Sequence, residues 1–223
     1  MDGRYPNGLL LVLSKCGDLE QEADFNRWYN HMHLPDVSAP GIFRNPMRFA
    51  NADPKPGDPG YVASYETTWD DVAAAWEAQQ EHSVSRRSPE RMSPLLDVEL
   101  VGQFKKLGGE FRAANRRVTG NLILLQNCND PAKEEEFNRW YNDIHIPDIL
   151  DTGLYHTAYR YESLDPVASK AKYLNLFETD QADAGRTLGE LLKIAEGWKQ
   201  QGRVFEGSSS VYRLATRRIW PMD

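Results

Sequence analysis

Apolar residues in this chain fall into short runs and alternations broken by polar, proline- and glycine-rich stretches, and the same order of segments occurs twice. Each half opens with an apolar run, Gly8 to Ser14 and Asn121 to Gln126, short enough for a buried strand. A helix start follows: Asp18 in the first copy, and Asp130 with Pro131 behind it and three glutamates in the first turn in the second. That helix should end near Pro35 or Pro147, because the residue before a proline disfavours helical angles. Second strands are predicted over Ile42 to Phe49 and Leu154 to Glu162, and third strands over Tyr61 to Glu66 and Tyr173 to Glu178. A second helix should start at Thr68-Trp69-Asp70-Asp71 in one copy and Thr179-Asp180 in the other, and Val98 to Phe104 and Ser210 to Leu214 read as closing strands.

The order is β-α-β-β-α-β in each half, the ferredoxin-like split unit. A four-stranded sheet with both helices on one face leaves its other face bare, and two such sheets cover each other by packing together. The fold class is therefore α+β: two tandem ferredoxin-like repeats packed sheet to sheet as an intramolecular α+β barrel. Residues 1–107 make the first repeat, 108–119 a connection with Gly108-Gly109 and several charges, and 120–223 the second repeat. In this arrangement Tyr61, Ala63, Tyr65, Tyr173, Asn175 and Phe177 are expected to face the shared interior, an aromatic lining suited to a small flat ligand.

The duplication is explicit in one motif. Phe-Asn-Arg-Trp-Tyr-Asn-x-x-His-x-Pro-Asp runs from Phe25 to Asp36 and again from Phe137 to Asp148, with nine of twelve positions identical at an offset of 112 residues. The offset also pairs Cys16 with Cys128, Gly41 with Gly153, Arg48 with Arg160 and Tyr61 with Tyr173, so the two copies keep one register.

Composition narrows the function classes. A net charge of −7 argues against a nucleic-acid partner, and the basic pairs Arg116-Arg117 and Arg217-Arg218 are too short to change that. The apolar run Leu9 to Leu13 is far below membrane-spanning length, and the N-terminal residues lack the apolar stretch of a secretion signal. The two cysteines are expected to be reduced thiols in a cytoplasmic protein. Whether tandem barrels pair into a homodimer stays open.

On a helix, Phe25, Trp28, Tyr29 and Met32 share one apolar stripe, and most of the motif reads as core. His33 sits at the stripe's edge beside Tyr29, Asn26 and Asn30, and His145 has the same neighbours in Tyr141, Asn138 and Asn142. Two readings stand: a general acid or base oriented by the adjacent phenol and amide, or an imidazole that caps its own helix C-terminus. Arg48 and Arg160, near the ends of the second strands, are candidates to hold a carboxylate or enolate, with His156 in the same strand of the second half. Tyr61, Tyr173, Asn30 and Asn142 complete the expected substrate-binding set. No metal-ligand spacing, phosphate loop or cysteine nucleophile is present, and no cofactor is expected.

The aromatic-rich helix ending in His-x-Pro, seen as Phe25-Asn26-x-Trp28-Tyr29…His33-x-Pro35 and again as Phe137-Asn138-x-Trp140-Tyr141…His145-x-Pro147, resembles the EthD-like branch of the dimeric α+β barrel superfamily. The resemblance covers nearly the whole chain and looks like a tandem version of a barrel usually built from two chains. It implies the fold more firmly than the function, since such barrels include cofactor-free monooxygenases, polyketide cyclases and dehydratases, muconolactone-type isomerases and haem-binding relatives. It also implies an acid or base role for His33 or His145. The expectation is a cofactor-independent lyase or isomerase acting on a small aromatic-derived or unsaturated carboxylate. The alternatives are a cofactor-free or haem-dependent monooxygenase and a non-catalytic small-molecule binding protein.

Overall fold

A computed structural model describes residues 6–83, 88–107 and 116–222. The strands are β1 (Gly8–Cys16), β2 (Arg44–Asn51), β3 (Tyr61–Thr67), β4 (Leu96–Lys106), β5 (Gly120–Cys128), β6 (Thr157–Ser163), β7 (Tyr173–Thr179) and β8 (Ser208–Trp220). They close into one barrel in the order β1-β3-β2-β8-β5-β7-β6-β4. Each half keeps the order expected of a ferredoxin-like sheet, and antiparallel pairing of β2 with β8 and β4 with β6 joins the halves. The seams are short: Phe104–Lys106 pair with Tyr161–Ser163, and Arg48–Asn51 pair with the end of β8.

The helices are α1 (Glu22–Trp28), α2 (Leu34–Ser38) and α3 (Val72–His82) in the first half, and α4 (Glu134–Trp140), α5 (Ile146–Asp151) and α6 (Ala184–Gln200) in the second. Asp18 and Asp130 cap the first helical turn as expected, each side chain accepting a backbone N–H at 3.0 Å. The later caps are Asp71, as expected, and Asp183, three residues beyond the start anticipated from Thr179-Asp180.

The prolines do not end the first helix. A π-helical turn, Tyr29–His33 in one copy and Tyr141–His145 in the other, joins α1 to α2 and α4 to α5. The Leu34 and Ile146 amides bond back to the carbonyls of Tyr29 and Tyr141, five residues earlier. The extra residue in the turn shifts the register, so Pro35 and Pro147 enter as first-turn residues, where an N–H is not needed. The helices instead stop at Gly41 and Gly153, which take φ of 73° and 70° and donate back to the carbonyls of Ser38 and Leu150.

The barrel interior corrects a second expectation. It is filled by Leu9, Leu11 and Leu13, by Met47, Phe49 and Val62, and by their counterparts around the ring, including Leu174 and Leu176. The Phe104 ring lies over Gly102, 2.3 Å from where a side chain there would begin. An eight-stranded barrel has room for side chains and little else. Tyr61, Ala63 and Tyr65 point outward into a core under α1 and α2, and Tyr173 and Phe177 do the same under α4 and α5. Of the predicted connection, residues 108–115 lie outside the described residues. Beyond them Val118 is buried in the interior, and Thr119 bonds to Thr179 and Gln181.

Candidate active site

The duplicated motif is first an anchoring device. The indoles of Trp28 and Trp140 donate to the carbonyls of Arg91 and Arg203 at 2.8 and 2.7 Å. The same two arginines clamp Asp36 and Asp148, with Nε to Oδ2 distances of 2.8 and 3.0 Å. Asn26 and Asn138 donate to the hydroxyls of Tyr61 and Tyr173, which in turn donate to Glu22 and Glu134. These bonds fix the helix to the sheet and to the loop that precedes the closing strand. They account for Asn26, Trp28, Asp36 and their copies without invoking a ligand.

Arg48 and Arg160 lie beneath this helix, each with 0% exposure. Arg160 is held by amide oxygens: its Nε donates to Asn175 at 3.0 Å, Nη1 to Asn142 at 3.2 Å and Nη2 to Asn138 at 2.7 Å. The rings of Tyr141 and Tyr173 cover it at 4.4 and 5.0 Å. Arg48 keeps the aromatic cover, 4.0 Å from the Tyr29 ring, and one amide partner, Asn30. Neither arginine stands where a substrate carboxylate would meet it, and Asn30, Asn142, Tyr61 and Tyr173 are engaged in the same buried layer. His156 is also elsewhere: its ring contacts Thr157 and the carbonyl of Arg117 near the start of β6.

His145 does reach a cavity. A space of about 370 Å³ lies between β5 and β8 on one side and α5 and α6 on the other. Leu122, Leu124, Ile149, Leu191, Trp198 and Phe205 give it an apolar body. Gln126, His145, Ser208, Ser210 and Arg213 are the polar groups that face it. The His145 ring stacks on Trp140 at 4.6 Å with 23° between planes, and it meets Tyr141 and Trp198 edge-on. Tyr141 is fully buried and not part of the lining; its hydroxyl donates to Gln126 at 3.0 Å, and its ring supports the imidazole. Burial pushes the Tyr141 phenol far above its usual range.

His145 titrates near 4, held down chiefly by burial and further by the positive charges of Arg160 and Arg213, against the opposing pull of Asp148. His33 is likewise lowered to about 4 by burial, with Asp36 opposing. Both imidazoles are therefore neutral at pH 7, and since the helix runs on past each of them neither stands at a helix C-terminus. The shifts carry a stability consequence. Because the folded values lie below the ordinary 6.5, the stabilising effect is complete above about pH 6.5 and is lost as pH falls through 4. Each histidine should contribute up to about 3 kcal/mol, reduced by the solvent that reaches its partly exposed ring. Urea unfolding at pH 7 and pH 4.5 should show a loss of stability that shrinks in a His33→Gln/His145→Gln double variant. Parallel losses in both proteins would remove the histidines from the explanation.

The copies differ around this site. At the repeat offset Arg213 corresponds to Val101, Ser210 to Val98, Ser208 to Leu96 and Gln126 to Ser14. Leu96 and Val101 pack against the first-half core, so the surroundings of His33 lack the cation and hydroxyls that face His145. Sequence reasoning missed Arg213, Ser208 and Ser210. The signal was an arginine opposite a valine at the same offset in two strands otherwise in register.

No three metal-ligating side chains gather among the described residues. Haem, which the family resemblance brings into question, does not fit the residues as they stand. The cavity, about 370 Å³ with Trp198 and Phe205 in its wall, is at the small end of the range for drug-sized ligands. Arg213 is the single cationic side chain facing the cavity that could receive propionates. Among the described residues no helix is long and apolar enough to cross a membrane. Cys16 and Cys128 are free thiols, each donating to the carbonyl two residues on.

The architecture is similar to that of chlorite dismutase from Candidatus Nitrospira defluvii. With its imidazole complex the chain shares 11% identity at a TM-score of 0.62, covering 98% of this chain and 93% of that one. With a double mutant of the same enzyme the figures are 10% identity and a TM-score of 0.64 over the same coverage. At such identity the likeness is one of fold: two β-α-β-β-α-β halves in a closed eight-stranded barrel, a fold shared with enzymes. No family model matches the sequence, and no curated protein matches it closely enough to count as a relative.

Proposed function

We propose that the second half carries one cofactor-independent acid–base site, of the lyase or isomerase class, for a small carboxylate with an aromatic or unsaturated body. The observation that carries this reading is the meeting of a neutral histidine and an arginine without a carboxylate partner at one mostly apolar cavity. Among the described residues Arg213, itself exposed, forms no ion pair, whereas the equally exposed Arg91 and Arg203 do. The EthD-like motif supports an acid or base role for the same histidine.

The chemistry follows from the placement. A carboxylate on the Arg213 guanidinium fixes one end of the ligand, and its apolar body lies against Leu122, Leu124 and Trp198. The free nitrogen of His145 then takes a proton from the carbon α or γ to the carbonyl. Arg213, with the hydroxyls of Ser208 and Ser210, bears the enolate-like charge that develops. Return of that proton to another carbon gives isomerisation, and departure of a β-substituent gives elimination. Ligand binding also strengthens the base: the incoming carboxylate offsets the Arg213 charge, one of the causes that depress His145. Since the free protein must hold His145 neutral, kcat/KM should rise with pH through about 4 and stay level above it.

Trp140 and Trp198 form part of the wall, so tryptophan fluorescence can report ligand entry directly. Titration with benzoate, salicylate and cinnamate should show saturable quenching at pH 7. Arg213→Gln should weaken binding about 10- to 100-fold, the loss of a charge-assisted bond, and leave the affinity for the corresponding amides unchanged. Equal affinity of Arg213→Gln and the wild-type protein for the carboxylates would defeat the assignment.

A further inference from the structure

The two halves treat the same buried arginine differently. In the second half a closed chain of bonds links Arg160 to Asn175, Asn175 to Gln126 and Gln126 to Tyr141, each at 3.0 Å. At the same offset the first half has Ala63 for Asn175 and Ser14 for Gln126, so both carboxamides are missing. It has Tyr65 where the second half has Phe177, and this adds one hydroxyl to the space they would fill. Nε of Arg48 and the hydroxyl of Ser14 have no hydrogen-bond partner among the described residues, and the hydroxyls of Tyr29 and Tyr65 have none besides each other. The Tyr29 and Tyr65 hydroxyls are within hydrogen-bonding reach of each other, and each perturbs the other's ionisation. Arg48, Tyr29, Tyr65 and Ser14 are at most 1% exposed, and Arg48 has no ion-pair partner among the described residues.

We infer that the first half holds a buried site for a halide-sized monovalent anion, bound by Arg48 with the hydroxyls of Tyr29, Tyr65 and Ser14. Nε of Arg48 is a donor, and the three hydroxyls can each turn to donate. A water molecule can accept only two of these bonds and supplies no counter-charge to the guanidinium. An anion accepts all of them and also neutralises a guanidinium whose burial without a counter-charge would cost the fold several kcal/mol. In the second half the carboxamides occupy that volume, so the feature belongs to one half only, and it is independent of the chemistry proposed at His145.

Crystals of the full chain soaked in sodium bromide should show one anomalous peak within hydrogen-bond distance of Arg48 Nε and none beside Arg160. In solution, once chloride exceeds its dissociation constant, each tenfold rise should multiply the folding equilibrium constant of the wild-type protein about tenfold at constant ionic strength set with gluconate. The Ser14→Gln/Ala63→Asn variant, which supplies the second half's own residues, should lose that dependence. An ordered water in place of bromide beside Arg48 would overturn the inference. So would a chloride response that is absent in the wild-type protein or unchanged in the variant.

Discussion

Replacing Arg160 with methionine should cost the fold about 3–5 kcal/mol, the range seen when one partner of a buried charged cluster is removed. Methionine fills a similar volume but supplies none of the donors that now satisfy Asn138, Asn142 and Asn175. Each orphaned oxygen would carry a desolvation cost of about 1–3 kcal/mol. Arg160→Lys should recover little, because one ammonium cannot bridge three oxygens held in different directions. The equivalent Arg48→Met change should cost much less in chloride-free buffer, since Arg48 keeps one amide partner and leaves its own Nε unsatisfied. Urea unfolding with an unchanged m-value is the appropriate measure. Equal losses at the two arginines would mean that the buried networks of the halves are energetically equivalent, contrary to their hydrogen bonding.

That contrast marks how far the sequence could be read. The fold was legible because a 112-residue offset preserved strands, caps and glycines together, and the order β-α-β-β-α-β admits few ways to cover both sheets. The direction of the strand side chains was not legible. All seven residues of β3 and all seven of β7 are buried, since helices cover one face and the barrel the other. Alternation shows which residues share a face, and here neither face is the solvent side. The aromatic set Tyr61, Tyr65 and Tyr173 went under the helices, where flat rings can cap an arginine, and the smaller Val62, Leu174 and Leu176 filled the barrel. Pro35 and Pro147 misled for a local reason, because the i→i+5 bond of a π turn leaves no trace in residue spacing. At the candidate site, His145 was visible through its motif. Arg213 looked like any solvated arginine on a strand until the cavity and its counterpart Val101 gave it context.

The second large effect should appear in turnover. His145→Gln should lower the rate of proton exchange at the carbon α or γ to the carbonyl by about 10²- to 10⁴-fold, the usual contribution of a positioned acid or base. Loss of ¹H signal from unsaturated and aryl-substituted carboxylates in D₂O reads this reaction class whichever product forms. His33→Gln should leave the exchange rate unchanged, because the surroundings of His33 supply Val101 and Val98 in place of Arg213 and Ser210. Binding of these carboxylates with no exchange in the wild-type protein would leave the cavity as a non-catalytic binding site.

The divergence of the halves can be measured most directly by ¹⁵N-imidazole NMR of the two motif histidines during titration with an aryl carboxylate at pH 7. The expected result is a saturable shift of the His145 ring nitrogens, absent in Arg213→Gln, with the His33 signals stationary. Movement of His33 with His145 still, or equal movement of both, would contradict a single working site in the second half.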